Sequence, residues 1–161
     1  MKADPRIEPI QVNEISELLD IKWSVFSQYY PSKDACDNYT LACTDWSISV
    51  KLTFERKIVG MYLLKEEAIS EIIPQEHITT LHESLFEYQG LRGIQGITLA
   101  IQEEYRGRGW GTFLKKYPRT LGYDYWWGIA FKTLGNLKDW QKQARLVGES
   151  RDLYLLLEDF R

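Results

Sequence analysis

A chain of 161 residues with 44% hydrophobic and 27% charged residues has the size and composition of one ordinary globular domain. Its net charge of -3 argues against a general nucleic-acid-binding protein, and its apolar runs are too short to cross a bilayer. The N-terminal segment lacks the apolar core of a signal peptide. We therefore expect a single cytoplasmic domain over residues 1–161, as a monomer or a homodimer without membrane or nucleic-acid partners.

Cysteine and histidine residues are few, and their spacing predicts neither a disulfide nor a metal site. Cys36 and Cys43 fit two free thiols of a reducing compartment. The spacing of His77 and His82 is loosely compatible with metal binding, but no third ligand accompanies them. We interpret His82 as a histidine packed on the apolar side of a helix.

The first half of the chain predicts an edge strand, a helix and a hairpin. In chain order these are strand Ile7–Val12, a helix between Asn13 and Pro31, strand Ser47–Phe54 and strand Ile58–Leu64. Pro9 limits the first strand to a sheet edge, because proline cannot donate to a ladder. Asn13 is the expected N-cap, and Pro31 ends the helix. Strict alternation of apolar and polar residues marks the strand before the polar turn 55–57.

The second half alternates predicted helices and strands. They are helix Gln75–Tyr88, strand Ile94–Ile101, helix Trp110–Thr120, strand Tyr123–Phe131, helix Leu137–Val147 and strand Leu153–Leu157. Pro118 makes the second of these helices irregular. The aromatic-rich strand is apolar nearly throughout, as expected of a strand buried on both faces. The order of elements predicts an α/β or α+β sandwich with a mixed sheet.

Charge is distributed unevenly along the chain. Residues 66–104 hold eight acidic residues against one basic residue, and residues 106–145 hold nine basic residues against two acidic ones. This asymmetry suits an enzyme that joins a cationic substrate to an anionic cofactor. It is equally compatible with two solvated faces of opposite sign.

The run Arg106-Gly107-Arg108-Gly109-Trp110-Gly111 lies between a predicted strand and a predicted helix. Glycines at a helix start let the backbone N–H groups approach an anion closely, and arginines add charge-assisted contacts. The spacing is not that of a dinucleotide loop, because Thr112 stands where the third glycine would be. No Lys-Ser or Lys-Thr pair follows, which excludes a Walker loop. A loop that only turns the chain and an arginine–glycine nucleic-acid contact remain as alternatives.

This run resembles the signature motif of the GNAT superfamily of N-acetyltransferases, Arg/Gln-x-x-Gly-x-Gly/Ala. Arg106, Gly109 and Gly111 match its three fixed positions, and the approach through Leu99-Ala100-Ile101 and Glu104-Tyr105 is also similar. The resemblance implies the acyl-CoA N-acyltransferase fold, with a mostly antiparallel sheet flanked by helices. It implies an acetyl-CoA-dependent N-acetyltransferase that needs no metal.

The resemblance also assigns cofactor-binding residues. The backbone of Leu99, Ala100 and Ile101 would bind the pantetheine arm of acetyl-CoA. The residues that would hold its pyrophosphate are Arg106, Gly107, Arg108, Gly109, Trp110, Gly111 and Thr112. Asn136 would contact the cofactor near the thioester, unless it is a plain N-cap of the next helix.

The sequence motif does not identify the general base and the general acid. The position of the glutamate base found in some relatives falls near Gln95 and Gly96, neither of which can serve. Glu103 and Glu104 are the nearby candidates for the base, although both fit solvated turn residues. The usual tyrosine acid would fall at Gln143, so another tyrosine, Tyr154 or Tyr125, takes the role or the thiolate leaves unassisted.

Three functions come into question for this chain. The first is transfer of an acetyl group to a primary amine, either a small cationic amine or a peptide amine, by direct attack. The second is a non-catalytic CoA-binding or protein-interaction module on the same fold, which the missing tyrosine keeps open. The third, acetylation of aminoacyl-tRNA, conflicts with the acidic stretch 66–104.

Overall fold

Short helices and strands alternate along the chain in a computed structural model, which describes residues 3–69 and 78–161. The α-helices are α1 (Ile15–Phe26), α2 (Lys33–Cys43), α3 (Trp110–Lys115) and α4 (Leu137–Trp140). The strands are β1 (Arg6–Pro9), β2 (Val50–Phe54), β3 (Lys57–Glu66), β4 (Thr80–Leu81), β5 (Gly93–Ile101), β6 (Tyr125–Phe131), β7 (Arg145–Glu149) and β8 (Leu153–Asp159). No helix of these described ranges has both the length and the apolar character needed to cross a membrane.

The strands form an eight-stranded sheet in the order β1-β2-β3-β5-β6-β8-β7-β4. Strands β5 and β6 are parallel, whereas β1–β2, β2–β3, β4–β7, β6–β8 and β7–β8 are antiparallel. The predicted mixed, mostly antiparallel sheet flanked by helices is confirmed. So is the edge location of the first strand, which ends at Pro9.

The chain divides into two compact units, of which the first comprises Met1–Lys65 and Ile97–Tyr117. Its hairpin of β2 and β3 turns through Glu55 and Arg56, whose φ angles of 50° and 66° are those a tight two-residue hairpin requires. Apolar side chains of α1, β3 and the end of β5 form its core, including Leu18, Met61 and Ala100. The end of β5 is thereby held on a packed support.

The helices of the first unit begin differently from the prediction. Gln11, rather than Asn13, caps the first turn, because its N–H donates to Glu14 Oε1 at 2.8 Å and Glu14 closes a reciprocal capping box. Asn13 lies inside that 3-10 turn. Helix α2 was missed, although Ser32 is a clear N-cap whose hydroxyl accepts a hydrogen bond from the Ala35 N–H at 3.1 Å.

The second unit comprises Glu66–Gly96 and Pro118–Arg161. Its centre is β6, which pairs in parallel with Gly93–Gly96 of β5 and antiparallel with β8 over its whole length. Tyr125 and Trp127 project from β6 into a core that includes Tyr88 and Val147. This confirms that the aromatic-rich segment is a buried strand.

Two predicted helices of the second unit are wrong. In the described part of Gln75–Tyr88, Thr80 and Leu81 form strand β4 against β7, because an edge position was open to them and Ile78-Thr79-Thr80 is a β-branched run. Helix α4 ends at Trp140, and the chain then forms β7 rather than continuing to Val147. Val147 and Gly148 are poor helix formers. Gly148 pairs with Leu155 of β8, and Val147 lies at a register shift between the two strands.

Candidate functional site

The segment after β5 is pinned to the neighbouring strand before the glycine-rich run begins. The Gln102 N–H donates to the Val59 carbonyl at 2.8 Å, and the Gln102 side-chain amide donates to the Ile58 carbonyl at 2.7 Å. A 3-10 turn over Glu103–Tyr105 follows and leads directly into Arg106. The start of the loop is therefore fixed by hydrogen bonds on both its backbone and a side chain.

The glycines of the loop have the backbone geometry and the open surroundings that close approach of a ligand requires. Gly107 and Gly109 lie in the left-handed region, with φ of 78° and 80°. A Cβ atom built on Gly107, Gly109 or Gly111 would meet no neighbouring atom within 4 Å. Side chains at these positions would fill free space beside the loop rather than clash with the protein.

Helix α3 begins at Trp110 with Gly109 as its N-cap, so the N–H groups of its first turn have no partner within the helix. The first helical hydrogen bond runs from the Phe113 N–H to the Gly109 carbonyl at 3.1 Å. Because α3 has only six residues, its dipole contributes little, and the N–H groups of the loop must carry any anion binding.

The two arginines of the loop are used differently. The Arg106 side chain turns back, and its Nε–H donates to the Ile101 carbonyl at 3.0 Å. The Arg108 guanidinium lies over three aromatic rings, at 5.8, 5.3 and 5.1 Å from the centroids of Phe54, Tyr105 and Trp110. Arg106 thus ties the loop to β5, whereas Arg108 is held on an aromatic surface. The role of Phe54 could not be predicted from the sequence, where it is an ordinary strand residue.

The strand residues expected to bind a pantetheine arm lie at the end of β5. The parallel ladder of β5 covers the pairs from Gly93–Tyr125 to Gly96–Gly128, and Leu99, Ala100 and Ile101 follow beyond it. Ala100 is buried, whereas Leu99 and Ile101 are half-buried. Their role in binding stays a prediction.

The candidate bases lie beside a surface cavity. Glu103 and Glu104 are both exposed, and with Ser24 and Gln102 they line a cavity of about 470 Å³. Ser24 comes from the polar side of α1, where sequence reasoning found no signal for a site. Two carboxylates beside this cavity can attract a cationic group or accept a proton from it.

The candidate acids belong to the second unit. Tyr154 lies on β8, half-buried, with the Lys132 ammonium 5.0 Å from its ring centroid. Tyr125 is fully buried in the core, and its hydroxyl accepts a hydrogen bond from the Ile69 N–H at 2.8 Å. Of the two, Tyr154 has the more accessible side chain.

Comparison with known proteins identifies the architecture. No family model matches the sequence, and no curated protein matches it significantly. Solved structures do match over nearly the whole chain. A putative arylalkylamine N-acetyltransferase 7 of the yellow fever mosquito has a TM-score of 0.74 at 11% identity, covering 98% of this chain and 88% of that one. A GNAT-family acetyltransferase of Streptococcus agalactiae has a TM-score of 0.64 at 14% identity, covering 96% and 95%.

The chain has the GNAT fold. A third match is Arabidopsis thaliana Naa50 in complex with the bisubstrate analogue CoA-Ac-MVNAL. It has a TM-score of 0.68 at 12% identity, and the match covers 96% of this chain and 98% of that one. At these identities the likeness shows the fold alone.

Asn136 directly precedes α4, and its side-chain oxygen lacks a hydrogen-bond donor among the described residues. Its Oδ1 atom is buried and has no hydrogen-bond partner among the described residues, and the side chain does not cap α4. The alternative role as a plain N-cap is therefore not supported. A buried acceptor without a partner costs about 1–3 kcal/mol, which a ligand donor would recover.

Several other charged groups of the second unit form ion pairs. Arg92 bonds Glu66 at 3.1 Å, and Arg145 bonds Glu83 at 2.7 Å. The prediction that His82 is packed on the apolar side of a helix is wrong. The residue is exposed, with Nε2 at 2.9 Å from Glu149 Oε2. His77 lies outside the described residues. Within the described ranges, no group of three or more histidine, cysteine, aspartate or glutamate side chains is arranged to hold a metal ion.

Proposed function

We propose that this protein is an acetyl-CoA-dependent N-acetyltransferase that acts on a primary amine. The observation that carries the proposal is the loop from Arg106 to Gly111. It follows the strand β5 of a GNAT fold, has two left-handed glycines, and leaves open space at every glycine Cβ position. The combination suits a diphosphate held by backbone N–H groups.

The structural neighbours support the choice of cosubstrate and acceptor. The bisubstrate analogue in Naa50 joins CoA to an acetylated peptide, and the mosquito protein is described as an arylalkylamine N-acetyltransferase. A peptide amine and a small cationic amine are both compatible with the carboxylates of Glu103 and Glu104. We propose either as the acceptor class.

The loop residues fit acetyl-CoA in a defined way. The N–H groups from Gly107 to Thr112 would hold its diphosphate, and the backbone of Leu99–Ile101 would hydrogen-bond its pantetheine arm. By the resemblance to GNAT enzymes, Asn136 is proposed to contact the cosubstrate near the thioester. Bound there, acetyl-CoA supplies an activated thioester that a neutral amine attacks directly, with release of the CoA thiol.

The chain must also remove a proton from the ammonium form of the acceptor. Glu103 and Glu104 are proposed as the base, acting directly or through a water molecule in the cavity they line with Ser24. Tyr154 is proposed as the acid that protonates the leaving thiolate. Backbone N–H groups would polarise the thioester oxygen, as in other acyl transfers.

A transfer assay tests this proposal. Acetyl-CoA is incubated with the protein and with amines of three kinds: arylalkylamines, polyamines and short peptides with free N-termini. We expect thiol release that depends on both the protein and the amine, together with a mass increase of one acetyl group on the acceptor. Acetyl-CoA without an amine is the control for hydrolysis.

The second candidate is a CoA-binding module without transferase activity. It is favoured by the short helix α4, which ends at Trp140, and by Gln143 in the place where relatives carry a tyrosine. Saturable binding of acetyl-CoA with no thiol release across the whole amine panel would select this alternative and reject the enzyme.

A further inference from the structure

The Arg108 guanidinium is an exposed cation with no ion-pair partner among residues 3–69 and 78–161. Among the described residues it makes neither an ion pair nor a hydrogen bond, and its contacts are the rings of Phe54, Tyr105 and Trp110. The unsatisfied N–H donors of this group are thus free to bind an anion.

The three rings form a packed support for this cation. Phe54 and Trp110 have centroids 4.9 Å apart, Tyr105 and Trp110 stack at 6.0 Å with an interplanar angle of 17°, and Phe54 meets Tyr105 edge-on at 6.2 Å. Stacking on aromatic faces restricts a guanidinium and leaves its edge available for hydrogen bonds. A restrained cation loses less entropy on binding an anion than a free surface arginine does.

The chemistry of CoA offers two anionic groups at its nucleotide end, a diphosphate and a 3′-phosphate on the ribose. The loop N–H groups suit the diphosphate. The 3′-phosphate is a monoester that carries close to two negative charges on a single phosphate at neutral pH, and a guanidinium with free N–H donors can bind such a group through paired hydrogen bonds. Because Arg108 lies on the rings and no atom comes within 4 Å of the Gly111 Cβ position, its guanidinium does not fill the cradle.

We propose that Arg108, held by Phe54, Tyr105 and Trp110, binds the 3′-phosphate and makes the protein select CoA over 3′-dephospho-CoA. The proposal rests on the proposed function, since it presumes that the diphosphate lies in the loop. It departs from the expectation that Arg106 and Arg108 both contact the diphosphate. Arg106 is instead engaged with the Ile101 carbonyl.

Calorimetric titrations of two ligands against two proteins test the assignment. The wild-type protein should bind CoA about tenfold more tightly than 3′-dephospho-CoA, as expected for one charge-assisted contact at the surface. The variant Arg108→Gln should bind 3′-dephospho-CoA as the wild type does and should lose the preference for CoA. Arg108→Lys keeps the charge without the planar guanidinium and should retain part of the preference.

The control is Arg151→Gln, which removes an exposed arginine of the second unit and should leave both affinities unchanged. An equal loss of affinity for both ligands in Arg108→Gln would place Arg108 on the diphosphate and overturn the inference, as would a wild type that binds both ligands equally. Absence of binding of either ligand to the wild type would overturn the proposed function itself, and this inference with it.

Discussion

Replacing Gly109 by valine is expected to weaken acetyl-CoA binding by at least about a hundredfold. Gly109 has a φ of 80°, a conformation in which a β-branched residue is a genuine outlier. A Cβ atom built on Gly109 has no atom within 4 Å apart from those of its chain neighbours, so the added side chain would extend into the space through which a diphosphate approaches the loop. The dissociation constant, measured by calorimetry, is the readout.

Two further variants separate loss of ligand space from backbone strain. Gly122→Val is the strain control, because Gly122 has a φ of 82° and open surroundings but lies in the second unit. It should lose about 1–3 kcal/mol of unfolding free energy, as Gly109→Val should, yet keep its affinity. Gly111→Val carries no left-handed strain and should weaken binding with little loss of stability. Wild-type affinity in both loop variants would contradict the placement of the diphosphate.

Replacing Lys22 by methionine is expected to stabilise the protein by about 2–3 kcal/mol at pH 7. Lys22 is only 2% exposed, and its Nζ has no hydrogen-bond partner among the described residues. Burial lowers the pKa of this ammonium from 10.5 to about 8, although the rings of Tyr30 and Tyr39 lie 5.4 and 5.3 Å from Nζ. Methionine fills a similar volume without the buried charge.

The lowered pKa of Lys22 also determines how the free energy of unfolding of the wild type changes with pH. Below pH 8 both folded and unfolded chains carry the Lys22 proton, so the cost of burying the charge is present in full. Between about pH 8 and 10.5 the unfolded chain binds more protons than the folded chain, and stability rises with pH. Cys36, Cys43 and Asp37 act on Lys22 in the opposite direction and reduce the shift without reversing it.

Chemical denaturation at pH 7 and pH 9 measures both effects. The wild type should gain free energy of unfolding relative to Lys22→Met as the pH rises, because only the wild type has this titration. Comparison between the two proteins removes the contributions of shared groups that do not interact with Lys22. Cys36, whose pKa burial raises, does interact with Lys22, so its titration also differs between the two proteins. Lys142→Met, at a well-exposed lysine, should change stability by less than about 0.5 kcal/mol at both pH values. A destabilised Lys22→Met variant would contradict this prediction. It would show that the attraction of the ammonium to the rings of Tyr30 and Tyr39 exceeds the free-energy cost of burying its charge.

The sequence predicted best where a local pattern decides the structure. Alternation in Ser47–Phe54 and the apolar run Tyr123–Phe131 placed β2 and β6 to within three residues, and the glycine motif predicted the junction of β5 and α3. Helix predictions from local patterns were wrong where pairing with a distant strand decides the structure. Thr80–Leu81 and Arg145–Glu149 pair with each other as strands, although the sequence predicted helices over Gln75–Tyr88 and Leu137–Val147.

Contacts between distant segments could not be predicted from local patterns. Phe54 supports Arg108 only because the hairpin of β2 and β3 ends beside the loop, and Ser24 lines a cavity only because α1 ends near Gln102. The burial of Lys22 likewise depends on how α1 packs against α2. The catalytic roles of Glu103, Glu104 and Tyr154 stay predictions, since no feature of their surroundings singles out one of them.

A calorimetric titration of the wild-type protein with acetyl-CoA tests the central claim most directly. The loop geometry predicts saturable binding of one acetyl-CoA per chain, with a dissociation constant between about 1 μM and about 1 mM, the range typical of enzyme substrates. Absence of binding at roughly 5 mM acetyl-CoA would contradict the claim that the loop from Arg106 to Gly111 binds the diphosphate of acetyl-CoA.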